Sequence, residues 1–128
     1  MPKIVHLALK VTDLQKASAF YQKVFGFVPM RTSVVRDHTS CHLSDGTIDL
    51  ALMQYNSESG EALLAGAGPC IHHFGIEVDD LQAAASELEA TGCEIMSAAG
   101  EVPIKFRDPN GLVAELVPRG RYADGLAD

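Results

Sequence analysis

The sequence lacks the features that mark several large classes of protein. Its three cysteines are odd in number and show no C-x-x-C spacing, which argues against a disulfide framework and fits a reducing, cytoplasmic compartment. Its longest apolar runs are only as long as a strand, so we expect no transmembrane helix. The first residues, Met1 to Ile4, lack the apolar core of a signal peptide, and we expect none.

Positive charge is also scarce. The chain has 10 Lys and Arg against 17 Asp and Glu, a formal net charge of −7, and no basic run. This balance argues against nucleic acid or an anionic membrane as a partner and leaves a small molecule as the expected one. The length of 128 residues, with 47% hydrophobic and 21% charged residues, predicts one compact globular domain.

The chain repeats itself at a constant spacing, which carries His6 onto His73. Residues 6–14 read HLALKVTDL, and residues 73–81 read HFGIEVDDL. Both segments read histidine, apolar, small, apolar, charged, valine, polar, aspartate and leucine. The match extends into the next element, where Ala17 falls on Ala84. We therefore expect two copies of one structural module.

Each copy predicts the same order of elements. An alternating strand is followed by Asp13 or Asp80 at a helix N-cap, a helical repeat of apolar residues, and Gly26 or Gly92 after the helix. The strands predicted next span residues 28–35, 39–43 and 47–54 in the first copy and 94–98, 102–106 and 112–118 in the second.

The predicted fold class is therefore α+β, with two βαβββ modules at residues 1–55 and 70–119. They are expected to form a curved mixed sheet around a central cavity, with the helices on the outside. Residues 56–69 form a connector, either a mobile lid or a plain linker, with a short helix expected at 61–65. Residues 120–128 are predicted to be a loose tail with little to pack against.

Strand alternation predicts three chemically active side chains on the inner face. His6 and His73 hold equivalent places in the two copies, and Glu115 alternates with Val113 and Val117. A carboxylate among apolar side chains needs a partner. Either histidine alone would more often be an ordinary core residue, but their equivalence under the repeat favours a shared site. Two imidazoles and a carboxylate suit a first-row divalent metal ion.

Asp49 is a further candidate ligand. Its apolar neighbours along the strand face the helix layer, which turns Asp49 inward as the counterpart of Glu115. The spacing between these two acids is one position shorter than that between His6 and His73, so the register is open by about one position. An alignment on the preceding glycines, Gly46 and Gly111, would instead put Leu50 in the ligand position. We favour Asp49 because it keeps the alternation of faces.

The remaining polar candidates are weaker. Asp37, His38 and His42 lie in or near the middle strands of the first module, and a surface location is the better expectation for the two histidines. His72 is predicted to point away from His73, because neighbouring residues of a strand face opposite sides. We therefore expect a structural or interfacial role for His72.

These segments, together with the turn FRDPNG at residues 106–111, resemble the vicinal oxygen chelate superfamily over roughly residues 3–118. That superfamily includes glyoxalase I, methylmalonyl-CoA epimerase, extradiol dioxygenases and bleomycin resistance proteins. The run HHFGIEVDD at residues 72–80 is most similar to the epimerase branch. Epimerases also carry a glutamate base in the middle strands of the first module, whereas residues 31–43 of this chain contain no Glu.

The resemblance implies a homodimer that binds one divalent ion, with Zn, Ni, Co, Mn and Fe left open. The implied metal ligands are His6, Asp49, His73 and Glu115, and either Glu115 or Asp49 is the implied catalytic base.

Three functions remain in competition. The first is a metal-dependent isomerase or lyase of glyoxalase or epimerase type, acting on a small carbonyl, hydroxy-acid or thioester substrate through an enediolate-like intermediate. The second is an Fe(II) extradiol-type dioxygenase that uses only His6, His73 and Glu115. The third is a non-catalytic binder of a small molecule such as an antibiotic.

Overall fold

A computed structural model describes residues 1–122 of the chain. The first module comprises β1 (Lys3–Lys10), α1 (Leu14–Phe25), β2 (Val28–Val35), β3 (His38–Ser44) and β4 (Asp49–Tyr55). The second comprises β5 (Cys70–Val78), α2 (Leu81–Ala90), β6 (Ile104–Arg107) and β7 (Val113–Pro118). No helix in this part of the chain is long and apolar enough to cross a membrane.

All seven strands form one open mixed sheet in the order β2-β3-β4-β1-β5-β7-β6. The first strands of the two modules, β1 and β5, lie side by side and antiparallel at its centre. Leu7 pairs with Phe74, its own counterpart in the repeat, so a pseudo-twofold axis passes through this pair. A β-bulge interrupts the pairing at Val5 and another at His72, which are again equivalent positions of the two modules. The predicted α+β fold with two equivalent modules is confirmed.

The two helices cover the outer face of the sheet, as predicted. Leu14, Ala17 and Tyr21 of α1 pack on Leu50 and Leu52 of β4 in one core cluster. A second core cluster joins α2 to the second module through Val78, Ala85, Ile104, Phe106, Ala114 and Leu116. The Asp13 carboxylate accepts a hydrogen bond from the N–H of Lys16, and Asp80 accepts one from Ala83, so both predicted N-caps are present.

Three local predictions are wrong. The strand expected at 94–98 is reduced to a single bridge between Ile95 and Phe106. The segment after it contains Gly100 at a φ of 85°, which an extended strand does not permit. Residues 61–65 form turns instead of a helix, since so short a segment between two glycines cannot repay helix nucleation.

The third correction concerns the tail. Tyr122 is buried against Val5 and Val117, so the chain is anchored at least to this residue. The sequence predicted that the tail has little to pack against, but the Tyr122 ring packs in an apolar cluster with Val5 and Val117. The rest of the predicted loose tail, residues 123–128, lies outside the described residues.

Candidate metal centre and its cavity

The inner face of the sheet lines a cavity of about 760 Å³. Strand register places His6 of β1 and Glu115 of β7 on either side of Gly75, which pairs with both. Gly75 has no side chain, and a Cβ there would lie 2.9 Å from the Cβ of His6. The glycine therefore lets the His6 and Glu115 side chains approach each other across β5.

His6, His73 and Glu115 converge on this cavity through three donor atoms. Nε2 of His73 lies 2.5 Å from Oε1 of Glu115, and Nε2 of His6 lies 3.3 Å from Nε2 of His73 and 3.8 Å from the same carboxylate oxygen. The three side chains are buried, with 3% to 7% of each residue exposed. The structure therefore brings together three of the four predicted ligands.

A carboxylate fixes the orientation of the His6 ring. Oδ2 of Asp49 lies 2.6 Å from Nδ1 of His6. Burial raises the pKa of Asp49, but hydrogen bonds from His42 and His6 outweigh it and hold the pKa below its usual value. An ionised carboxylate only accepts hydrogen bonds, so Nδ1 of His6 carries a proton, and in the neutral form of the ring Nε2 keeps a lone pair on the side of His73 and Glu115.

A chain of hydrogen bonds fixes the His73 ring in the same way. Nε2 of His72 donates to the main-chain carbonyl of Glu61 at 2.7 Å, and the two Nδ1 atoms of His72 and His73 lie 2.8 Å apart. Burial lowers the pKa of His72 to about 4 and also lowers that of His73, so both rings are neutral near pH 7. His72 thus accepts the proton on Nδ1 of His73, and Nε2 of His73 also keeps a lone pair.

Three electron-pair donors therefore face one another in a buried space, and this arrangement needs a cation. A proton shared by His73 and Glu115 pairs with two of the three donor atoms, and a divalent metal ion pairs with all three. Metal–nitrogen and metal–oxygen bonds of about 2.1 Å set neighbouring ligand atoms about 3 Å apart, close to the separations among these three residues. A first-row divalent ion therefore fits this donor set, and ligand histidines are commonly oriented by carboxylate or carbonyl partners like those here.

Asp49 does not join the other three. It contacts the Nδ1 edge of His6, whereas His73 and Glu115 lie at the Nε2 edge. Leu7 pairs with Leu50 while Phe74 pairs with Ala114, so the first-module counterpart of Glu115 is Ala51 rather than Asp49 or Leu50. Asp49 faces inward as expected, but one side chain of the predicted set of four stands outside the centre.

Three histidines differ from their predicted places. His38 and His42 are half-buried instead of lying on the surface, each with 12% of its side chain exposed. Nδ1 of His42 is 2.8 and 3.0 Å from the two oxygens of Asp49. His72 is only 1% exposed and reaches His73, because the bulge at His72 interrupts the alternation of faces. Nothing in the pattern of apolar residues signals the bulge, although two adjacent histidines before a repeated strand are an unusual sequence.

The cavity walls carry further polar groups. The ring of Tyr122 stacks on His6 with 4.6 Å between centroids and an angle of 7°. Arg31 pairs across the sheet with His42, and Lys105 pairs with Glu115. Four positive side chains line the cavity, against the three carboxylates of Glu61, Glu101 and Glu115: Arg31, Arg36, Lys105 and Arg121. Asp37 and His38 pair with each other at 3.1 Å, and His38 lines the cavity too. In a chain of net charge −7, these cations favour an anionic ligand.

Comparison with known proteins agrees with this fold. Residues 3–116 match the model of the Glyoxalase/Bleomycin resistance protein/Dioxygenase superfamily. The chain is 29% identical to a probable lactoylglutathione lyase of Vibrio parahaemolyticus, over 97% of this chain and 96% of the relative. It is 27% identical to the lactoylglutathione lyase of Escherichia coli O157:H7, over 98% of this chain and 99% of the relative.

Solved structures show the same fold. Methylmalonyl-CoA epimerase from Mycobacterium tuberculosis superposes with a TM-score of 0.75 at 20% identity, covering 94% of this chain and 90% of that one. Fold and site together define a two-module α+β protein with a buried histidine–carboxylate centre. The chain belongs to the Glyoxalase/Bleomycin resistance protein/Dioxygenase superfamily.

Proposed function

We propose that this protein is a metal-dependent isomerase or lyase of glyoxalase or epimerase type. Its substrate is a small anionic carbonyl, hydroxy-acid or thioester compound, and the reaction passes through an enediolate-like intermediate. The observation that carries the proposal is the convergence of three lone pairs, from His6, His73 and Glu115, on a cavity lined by positive side chains. The lactoylglutathione lyases among the relatives support the same class of reaction.

The site supports a division of tasks. A bound divalent ion supplies Lewis-acid stabilisation of negative charge on substrate oxygen. Arg31, Lys105 and Arg121 attract and orient an anionic substrate, and the burial of the centre limits access of water to it. We keep the predicted homodimer and the cytoplasmic location as parts of this proposal, since neither follows from the geometry of one chain.

The test is metal loading followed by an assay panel. The purified protein is stripped, loaded separately with Zn, Ni, Co, Mn or Fe(II), and analysed for bound metal. It is then offered the hemithioacetal of methylglyoxal and glutathione, and methylmalonyl-CoA. We expect one ion per chain and turnover of at least one substrate, with both lost in Glu115→Ala at an unchanged circular dichroism spectrum. Failure to bind any of these ions at neutral pH would remove the proposal.

A second candidate is an Fe(II) extradiol-type dioxygenase. One observation favours it: Ala51 stands where symmetry would place a second carboxylate, so only two histidines and one carboxylate reach the centre. Three protein ligands leave several coordination positions of the metal ion open, as in non-haem iron oxygenases. Oxygen uptake by the protein loaded anaerobically with Fe(II), across a panel of catechols, would favour it. Drug binding unaffected by chelators would instead favour the non-catalytic binder.

A further inference from the structure

Asp49 holds two imidazole rings at once. Its oxygens contact Nδ1 of His6 at 2.6 Å and Nδ1 of His42 at 2.8 and 3.0 Å. Because a carboxylate only accepts hydrogen bonds, both Nδ1 atoms carry the proton and donate it. In the neutral form of each ring, which has one N–H, the Nε2 atom is left with a lone pair.

The two lone pairs serve different places. The lone pair of His6 lies at the metal centre, where Nε2 of His6 is 3.3 Å from Nε2 of His73. Nε2 of His42 has no hydrogen-bond partner in the described part of the chain, where every buried side-chain nitrogen or oxygen has one. This nitrogen is therefore open to the cavity that His42 lines.

The position of His42 matches a gap in the symmetry of the site. His42 pairs across the sheet with Ala51, the counterpart of Glu115 in the first module. The small side chain of Ala51 leaves room on the inner face where the second module has a carboxylate. The His42 ring lies 6.5 Å from the His6 ring, centroid to centroid, with 29° between the planes. One small substrate at the centre can therefore touch both rings.

We propose that His42 is the proton acceptor of the reaction and that Asp49 is its positioning residue. This inference rests on the proposed isomerase or lyase function and adds the group that moves the proton. Nε2 of His42 takes a proton from the carbon next to the substrate carbonyl, and the C–H electron pair stays on the substrate as the enediolate. The imidazolium is stabilised by Asp49 and returns the proton to the substrate, so no net proton is gained or lost.

A spectroscopic test examines His42 without a substrate. Long-range ¹H–¹⁵N correlation spectra of the zinc-loaded protein report which ring nitrogen of each histidine carries the proton, and His42→Ala assigns the signals. We expect the Nδ1–H form for His42. The Nε2–H form would overturn the inference even if the protein proves to be an active metalloenzyme. Metal content of His42→Ala should equal that of the wild type, and a loss of the ion would show that His42 is a ligand instead.

Turnover is the second readout, with Thr39→Ala as the control because Thr39 lies on the same strand as His42 but is not among the residues that line the cavity. We expect His42→Ala to lower kcat by about 100- to 10 000-fold with little change in KM, since removing a general base affects the chemical step. Added free imidazole should restore part of the rate in His42→Ala, which a structural role would not permit.

The outcomes separate the two proposals. Unchanged kcat in His42→Ala, or an equal loss in Thr39→Ala, contradicts the role of His42 while leaving the metalloenzyme intact. If the metal-loaded wild type turns over neither substrate, the proposed function fails and the role of His42 fails with it, whereas the Nε2–H form of His42 in an active wild type overturns the role of His42 alone.

Discussion

Replacing His72 by Phe tests whether the hydrogen-bonded chain behind His73 maintains the metal centre. His72 is 1% exposed and links Nδ1 of His73 to the carbonyl of Glu61. Phenylalanine keeps a ring of similar size but neither accepts the proton of His73 nor donates to Glu61. The His73 ring is then free to rotate or to protonate its Nε2, which is the atom that faces the centre.

The structure allows the size of the effect to be worked out. Removing the partner that orients a ligand histidine lowers metal affinity by about 10- to 100-fold, equivalent to about 1.4–2.7 kcal/mol of binding free energy. The buried Glu61 carbonyl and the N–H of His73 also lose their partners, and each costs about 1–3 kcal/mol of folding free energy. His72→Phe should therefore show both weaker metal binding and a lower free energy of unfolding.

The assay is competition for Zn²⁺ or Co²⁺ with a chromophoric chelator near neutral pH, together with urea unfolding of the metal-free protein. His38→Phe is the matched control, because His38 lines the same cavity but pairs with Asp37 and lies outside the chain that orients His73. We expect the control to keep wild-type metal affinity. Equal metal affinity in His72→Phe and the wild type, or an equal loss in both variants, would refute the reasoning.

Three further predictions follow from the same contacts. Gly75→Ala should weaken metal binding and lower the free energy of unfolding by about 1–3 kcal/mol, since its Cβ would lie 2.9 Å from that of His6. Gly60→Ala is the control, because a Cβ there meets nothing within 4 Å, and it should keep wild-type metal affinity. An equal loss of metal affinity in both variants would contradict the importance of the Gly75–His6 contact. Tyr122→Ala removes the ring stacked on His6 and should lower stability by about 3–5 kcal/mol, measured by urea unfolding, whereas Tyr122→Phe should stay near wild type. Because the pKa of His72 falls from 6.5 to about 4 on folding, the unfolded metal-free chain binds more protons in this window, and stability should drop by about 3 kcal/mol as the pH falls from 6.5 to about 4. Urea midpoints measured across that range in the wild type and His72→Phe check this, and parallel curves would count against it.

The repeat made most of the fold predictable. A shared pattern over residues 6–14 and 73–81 fixed the two central strands and both helix starts, because hydrophobic periodicity and capping residues are local properties. Alternation also turned His6 and Glu115 inward. Alternation along a strand does not predict the register between neighbouring strands, because register depends on pairing across the sheet. For that reason the counterpart of Glu115 was expected at Asp49, whereas pairing places it at Ala51.

The wrong prediction for His72 also has its origin in contacts between distant parts of the chain. A β-bulge inserts one residue between paired positions and leaves no mark in the composition of the strand. The partner of His72 is a main-chain carbonyl, at Glu61, which any residue type would provide equally well. Lys10 likewise is 4% exposed because it donates to the carbonyls of Ala62 and Gly66. A pattern of side chains in the sequence does not predict contacts to the backbone of a distant loop.

The difference between Ala51 and its counterpart Glu115 shows how two modules of one backbone design come to differ in chemistry. The pseudo-twofold axis maps one strand pairing onto the other, yet only the second module sends a carboxylate from its last strand to the centre. The first module contributes His6 to the same centre, and beside Ala51 it carries the His42–Asp49 pair instead of a carboxylate on its last strand that reaches the centre. The symmetry of the backbone thus supplies a fixed frame in which equivalent positions of the two modules carry different chemical groups.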